Sequence, residues 1–182
     1  MRIISGTHKG RRILAPRKLP VRPTTDMAKE SLFNILNNHF YFKDVKVLDL
    51  FSGTGNLSYE FASRGVPAIT AVDNHSGCIH FIAKTAEAFE FPIQPFKADV
   101  YDYLKKHQGQ YDIIVADPPY DFEVERFREI VDLVVQQELL ADDGMLIVEH
   151  ASVMSLEDHP HFAEARKYGS SVFSFFRESE KE

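Results

Sequence analysis

The stretch Val45-Lys46-Val47-Leu48-Asp49-Leu50-Phe51-Ser52-Gly53-Thr54-Gly55-Asn56-Leu57 decides the fold. A short apolar run ends in an acid, turns through two glycines separated by Thr54, and enters a segment with helical spacing. Glycines at such a strand-to-helix turn let a ligand approach the backbone closely. The dinucleotide pattern G-x-G-x-x-G would need glycine at position 58, and Ser58 stands there. Alone, the turn fits a nicotinamide cofactor, a flavin, S-adenosylmethionine, or a purely structural bend.

The same strand-then-helix rhythm repeats downstream. Strands are predicted at 45–50, 68–72, 94–97, 111–116 and 145–149, and helices at 57–64, 77–89, 100–107 and 124–138. Gly65, Pro92, Gly109 and Gly144 punctuate the joints. Repeated βα units imply a parallel sheet with helices on both faces. Two further strands, 165–169 and 172–177, flank a Gly-Ser-Ser joint; a close pair of this kind is antiparallel, which makes the sheet mixed. Upstream, 2–5 and 12–15 bracket a loop bounded by Gly6 and Gly10, the pattern of a hairpin. Pro16, Pro20 and Pro23 then keep the chain extended. Thr24, Thr25 and Asp26 are N-cap candidates for a helix carrying Ala28, Leu32, Ile35, Leu36, His39 and Phe40 on one stripe, with Lys29, Glu30 and Asn34 on a solvated face. The expected division is a basic arm over 1–23 and one globular domain over 24–182, its end at 178–182 fraying.

Composition narrows the partners. The 182 residues suffice for one domain, and 44% are hydrophobic, which argues against wholesale disorder. No apolar run is long enough for a membrane span and no signal-type apolar segment opens the chain. Cys78 is the one cysteine, so no internal disulfide forms and a reducing cytoplasm is the expected compartment. Net charge is −6, yet the first 25 residues hold seven cations (Arg2, Lys9, Arg11, Arg12, Arg17, Lys18, Arg22) and no acid. A cationic arm on an acidic body is a footprint for phosphate contact, against the plainer reading of a solvated arm.

Acids close successive strands. Asp73 follows the glycines by about 20 residues, where a carboxylate can accept ribose hydroxyls, the favoured role; capping the next helix is the alternative. Asp99 could accept an adenine amino group or cap the helix beginning at Val100. The fourth strand, Tyr111-Asp112-Ile113-Ile114-Val115-Ala116, delivers Asp117-Pro118-Pro119-Tyr120 to its end. An acid beside two proline carbonyls offers acceptors and the tyrosine a stacking face, which suits an exocyclic amine on a flat base. A metal site is not expected. Glu149 and His150 alternate faces on a strand, and His159-Pro160-His161 reads as a surface loop.

These residues carry a resemblance. Asp49-Leu50-Phe51-Ser52-Gly53-Thr54-Gly55 with Asp117-Pro118-Pro119-Tyr120 resembles the S-adenosylmethionine-dependent amino methyltransferases. Arg2-Ile3-Ile4-Ser5-Gly6, Lys9-Gly10-Arg11-Arg12, Arg22-Pro23-Thr24-Thr25-Asp26, Lys29-Glu30-Ser31-Leu32-Phe33-Asn34-Ile35-Leu36, Val148-Glu149-His150 and Tyr168-Gly169 resemble one subgroup, the bacterial 16S ribosomal RNA (guanine-N2)-methyltransferases. The resemblance implies a Rossmann-like class I methyltransferase of seven strands. It implies Asp117, Pro118 and Tyr120 as catalytic residues, and a cofactor set of Asp49, Phe51, Gly53, Gly55, Asp73, Asp99 and Val100. Lys9, Arg11, Arg12, Arg17, Lys18, Arg22, Thr24 and Pro119 are the expected substrate contacts. The expected partner is small-subunit ribosomal RNA, as an RNA–protein particle. Rival readings are an amino methyltransferase for adenine or cytosine and a non-catalytic RNA-binding module.

Overall fold

The computed structural model describes residues 1–22 and 24–178; the extended geometry expected at Pro23 and the fraying expected at 179–182 lie outside them. In chain order the elements are α1 (Asp26–His39), β1 (Lys46–Leu50), α2 (Asn56–Ser63), β2 (Ala68–Asp73), α3 (Ser76–Phe89), β3 (Ile93–Lys97), α4 (Val100–Lys106), β4 (Tyr111–Ala116), α5 (Val124–Gln136), β5 (Leu140–Ala151), β6 (Phe162–Tyr168) and β7 (Ser171–Phe176). They build a seven-stranded sheet in the order β3-β2-β1-β4-β5-β7-β6. The first five strands run parallel, and β7 inserts antiparallel between β5 and β6. The mixed α/β sheet is as the sequence implies.

Strand parity sorts the core into two layers. On one face Val47, Ile69, Ala71, Ile113, Val115, Ile147, Phe173 and Phe175 pack with α1, α2 and α3. On the other, Leu48, Leu50, Val72, Ile114, Ala116, Leu146, Val148 and Phe176 pack with α4 and α5. The chain leaves β1 toward β2 on one side, while β4 flanks β1 on the other. The crevice between the carboxyl ends of β1 and β4 is therefore the switch point where such sheets bind ligands.

Several local expectations give way. The N-terminal hairpin does form, with a bridge of Arg2 to Arg12 and cross-strand hydrogen bonds between Met1 and Ile13, from Ile3 to Arg11 and from Gly10 to Ile3, but beyond it the amides of Ile4 and Ser5 turn to α2. Glu60, fully buried in α2, accepts the amides of Ile4 (2.9 Å) and Ser5 (3.1 Å). Ser63 receives the turn: its hydroxyl donates to the Ser5 carbonyl (2.6 Å), and its own carbonyl accepts the Thr7 amide (2.8 Å). A Cβ on Gly6 would collide with that Ser63 carbonyl, so the glycine of Arg2-Ile3-Ile4-Ser5-Gly6 is a packing requirement. Lys29, expected on a solvated face, is 1% exposed. Its Nζ donates to the Arg2 carbonyl and to Asn56 Oδ1 (2.8 Å) and lies 3.7 Å from Glu60, which also binds Arg64 (2.9 Å). Burial holds the Lys29 pKa below the ordinary lysine range, with Glu60 opposing.

Other differences are smaller. β5 begins at Leu140 rather than 145 because Asp142-Asp143-Gly144 bulges out, with Asp143 at φ +60°, before the ladder resumes at Met145. β6 likewise starts at Phe162. Thr25 is the residue that caps α1, accepting the Ala28 amide at 3.2 Å, a contact worth about 1 kcal/mol. His159 is buried and meets Asp132 at 2.8 Å, so it belongs to a packed corner and not to an open loop.

Glu60→Ala would strand Lys29 and Arg64 and orphan two amides. Breaking a buried charge cluster by removing one partner costs about 3–5 kcal/mol. Urea unfolding of the variant should show a loss of that order, whereas Glu30→Ala on the exposed side of α1 should lie within about 0.5 kcal/mol of the parent.

Candidate active site

A cavity of about 850 Å³ opens at the carboxyl ends of the strands, running from the β1–α2 turn to the turn after β4. Its floor begins with backbone held in unusual conformations. Phe51 has φ +55°, rare for a bulky side chain, and Gly53 shares that value. Asp73 braces this turn: Oδ2 accepts the Gly53 amide and Oδ1 the His75 amide, both at 2.9 Å. The cap of α3 is instead His75, whose Nδ1 accepts the Cys78 amide at 3.3 Å, which removes the capping alternative for Asp73. Asp99 does cap α4, accepting the Asp102 amide at 3.0 Å, and also lines the cavity with Val100. Phe51, Tyr101 and Phe122 meet edge to face beside it and form an apolar slot. Gly55 stays behind the wall. At φ +93° it packs on Tyr59, whose ring a Cβ would approach to 2.7 Å, so its lack of a side chain serves packing.

The N-terminal segment crosses the mouth. Leu19 is buried against Gly77, Val21 covers Gly53, and Arg22 reaches the end of β4. Of the expected substrate contacts, Arg17, Arg22, Thr24 and Pro119 line the cavity; Lys9, Arg11, Arg12 and Lys18 lie outside it, exposed, with Arg11 over the Phe89 ring. Among the described residues, Arg2 pairs with Asp26, while Lys9, Arg11, Arg12, Arg17 and Lys18 have no ion pair.

Asp117 and Tyr120 reach the cavity, and Arg22 engages both. One guanidinium nitrogen of Arg22 donates to Asp117 Oδ1 (2.7 Å) and to Glu149 Oε1 (3.3 Å). The guanidinium carbon sits 3.2 Å from the centroid of the Tyr120 ring, on the face expected to stack a base. The Tyr120 hydroxyl contacts Glu149 Oε1 (3.3 Å) and Ser171 Oγ (2.5 Å). Pro119 gives its carbonyl to the Phe122 amide at 3.2 Å, whereas that of Pro118 has no partner among the described residues.

Glu149 is the site residue that sequence reasoning left out. The β4–β5 register pairs Ala116 with Val148, so positions 117 and 149 emerge side by side on one face. Parity along the two apolar runs was the available signal. Asp49 lies on the same face, one strand over, buried with the Ser58 hydroxyl at 2.6 Å from its Oδ2. Burial pushes its pKa up to about 7, the Ser58 hydrogen bond opposing. Asp117 is held well above the carboxylate range by burial, with the Glu149 charge adding to it and Arg22 opposing. Two acids facing one guanidinium leave a site that holds a proton or attracts a second cation. Cys78 also borders the cavity, its thiol pushed up to about 11 by burial and so a poor nucleophile. Among the described residues no cluster of three metal-type ligands occurs, and no helix is long and apolar enough to cross a membrane.

Known proteins are similar to this chain in sequence and in fold. The chain is 30% identical over 156 residues to ribosomal RNA small subunit methyltransferase D of Buchnera aphidicola, covering 85% of this chain and 78% of the relative. The protein of the same name from Escherichia coli is 28% identical over 150 residues, covering 82% and 74%. The solved structure of the Escherichia coli protein yhhF superposes with a TM-score of 0.83 over 99% of both chains at 24% identity. A Thermus thermophilus 16S rRNA N2 G1207 methyltransferase, solved with AdoMet and guanosine, gives 0.70 at 21% identity, over 88% of this chain and 45% of that one. The fold is that of the class I methyltransferases. Residues 1–177 match a single family, described as conserved hypothetical protein 95, and the chain belongs to it, together with the small-subunit ribosomal RNA methyltransferases D.

Proposed function

We propose that this chain methylates the exocyclic N2 amine of a guanine in small-subunit ribosomal RNA, with S-adenosylmethionine as donor and a protein-bearing particle in the cytoplasm as substrate. One observation carries the reading: Asp117-Pro118-Pro119-Tyr120 shares a single cavity with Gly53, Asp73 and Asp99. Names of relatives agree with it, one being a 16S rRNA N2 guanine methyltransferase solved with AdoMet and guanosine.

The residues fit the donor. The Gly53 turn leaves room for close approach, Asp73 keeps lone pairs for ribose hydroxyls, and Asp99 with Val100 borders the apolar slot suited to adenine. Asp49 answers a cation. When bound, S-adenosylmethionine supplies an electrophilic methyl group on a sulfonium.

The remaining work falls to this chain. A guanine amine is planar because its lone pair is delocalised into the ring, so it is a poor nucleophile. Acceptors at its two N–H groups favour the pyramidal, reactive form. Asp117 and the Pro118 carbonyl are those acceptors, and their fixed charge and dipole stabilise the positive charge that grows on nitrogen. Methyl transfer would exchange the donor's C–S bond for an N–C bond, the electron pair going to sulfur, and Asp117, held above its ordinary range, would take the N–H proton that the amine then loses. Tyr120 stacks the base once Arg22 has left its ring. A base drawn from its stack loses energy, and an aromatic platform returns roughly 1–3 kcal/mol of it.

Asp117→Ala should lower turnover by about 10²–10³-fold, with S-adenosylmethionine affinity changed only a few-fold. Mass spectrometry of small-subunit RNA exposed to the parent protein should find N2-methylguanosine; any other methylated base would sink the reading.

Asp49 gives a pH test. Its raised pKa means it is protonated below about 7, and a cationic ligand favours the ionised form. Affinity for S-adenosylmethionine should therefore rise as pH climbs through about 7 and then level. Binding at pH 6.5 should release protons, visible as buffer-dependent heats in calorimetry, and Asp49→Asn should abolish that dependence.

The exposed cations give a salt test. With Arg2 paired to Asp26 at the surface and Arg22 to Asp117, the other five cations of the segment are free of ion pairs among the described residues. At roughly 0.7 per phosphate neutralised on a single strand, these five should contribute a log–log salt slope of RNA binding no steeper than about −3.5, with about −0.7 more where a displaced Arg22 joins them. Neutralising Lys9, Arg11, Arg12 and Lys18 together should remove most of it.

A further inference from the structure

Arg22 occupies the site as a ligand would. Its flat group lies on the Tyr120 ring, and one terminal nitrogen donates to Asp117 Oδ1 and Glu149 Oε1. Glu149 is 3% exposed, and its second oxygen, Oε2, is buried without a hydrogen-bond partner among the described residues. A buried carboxylate oxygen lacking a donor is costly, and it marks a place where one is expected. Strand register fixes the spacing: Asp117 and Glu149 leave neighbouring strands one residue beyond the paired Ala116 and Val148.

The chemistry of the intruder names the guest. Guanine contains a guanidine unit, the C2 carbon with N1, N2 and N3, and presents N1–H and N2–H as adjacent donors on one edge. A base replacing Arg22 on Tyr120 would give an N2–H to Asp117 and its N1–H to Glu149. Adenine and cytosine cannot do so. Beside their amines lies a ring nitrogen with a lone pair, which a carboxylate repels.

We propose that Glu149 is the residue that selects guanine, by accepting the N1–H of the base whose amine Asp117 holds, and that the Arg22 guanidinium is a built-in stand-in displaced when the base enters. This rests on the guanine-N2 reading above and adds the residue that excludes other amino bases.

The test uses the whole chain loaded with S-adenosylhomocysteine and two nucleoside probes followed by NMR titration. Guanosine has both donors; 2-aminopurine riboside keeps the N2 amine and lacks N1–H. The parent protein should bind guanosine at least about 10-fold more tightly, the scale of one lost hydrogen bond to a charged group. Glu149→Gln should shrink that gap to about 3-fold or less, because a Gln amide can donate to the bare N1 of 2-aminopurine. Equal binding of the two probes by the parent protein overturns the proposal without any variant, and so does an unchanged gap in a folded Glu149→Gln. Failure of the underlying reading looks different. Guanosine itself would then not bind and the methylated RNA would hold no N2-methylguanosine, which overturns both.

Discussion

Like charges crowd the carboxyl ends of three neighbouring strands. Asp49 on β1, Asp117 after β4 and Glu149 on β5 all project from the same face, as strand alternation dictates. Burial removes the water that would screen them, so the crowding is relieved only by protons or by cations. The fold answers with both. Two of the carboxyls are held above their ordinary range, and Arg22 is drawn from outside the sheet to lie between Asp117 and Glu149. The path of residues 16–22 across the cavity, with Leu19 seated at Gly77 and Val21 over Gly53, follows from the need to deliver that one guanidinium.

On the proposed function, a site balanced this way would be tuned for exchange. Each group that Arg22 touches is one that a planar, amine-bearing guest would also touch. The aromatic ring beneath it is tied by Ser171 and Glu149, so the platform would stay if the cation were displaced. On the far side of the cavity the backbone is held less comfortably. Phe51 sits in a left-handed conformation with its ring locked between Tyr101 and Phe122. Strain stored beside a ligand pocket is a recurring feature of sites whose geometry is set before the ligand arrives.

Most of the sheet was legible in the sequence because its strands are buried on both faces and read as apolar runs; β4 matches its predicted limits residue for residue. Asp117, Asp73 and Asp99 were legible for the same reason, since acids that terminate such runs have few other places to be. Lys29 and Glu60 were not. A lysine among polar helix residues reads as solvated, and only the tertiary arrival of the Ile4 and Ser5 amides makes its burial affordable. Glu149 was missed because its meaning depends on register with another strand, which local pattern does not carry. The basic segment was read as a hairpin and extended arm carrying charge, while its anchors to α2 are backbone amides that sequence cannot display.

Those anchors change what the segment is. A tether of a dozen residues would surrender about 1–2 kcal/mol of backbone freedom for each residue ordered against a polyanion. Here Glu60 and Ser63 have already frozen the turn that carries Lys9, Arg11 and Arg12. The span from those charges to the end of β4 is fixed at folding, so under the proposed function the segment would gauge the distance between a phosphate backbone and a reacting base as a rigid caliper does, with little entropy left to lose on closing.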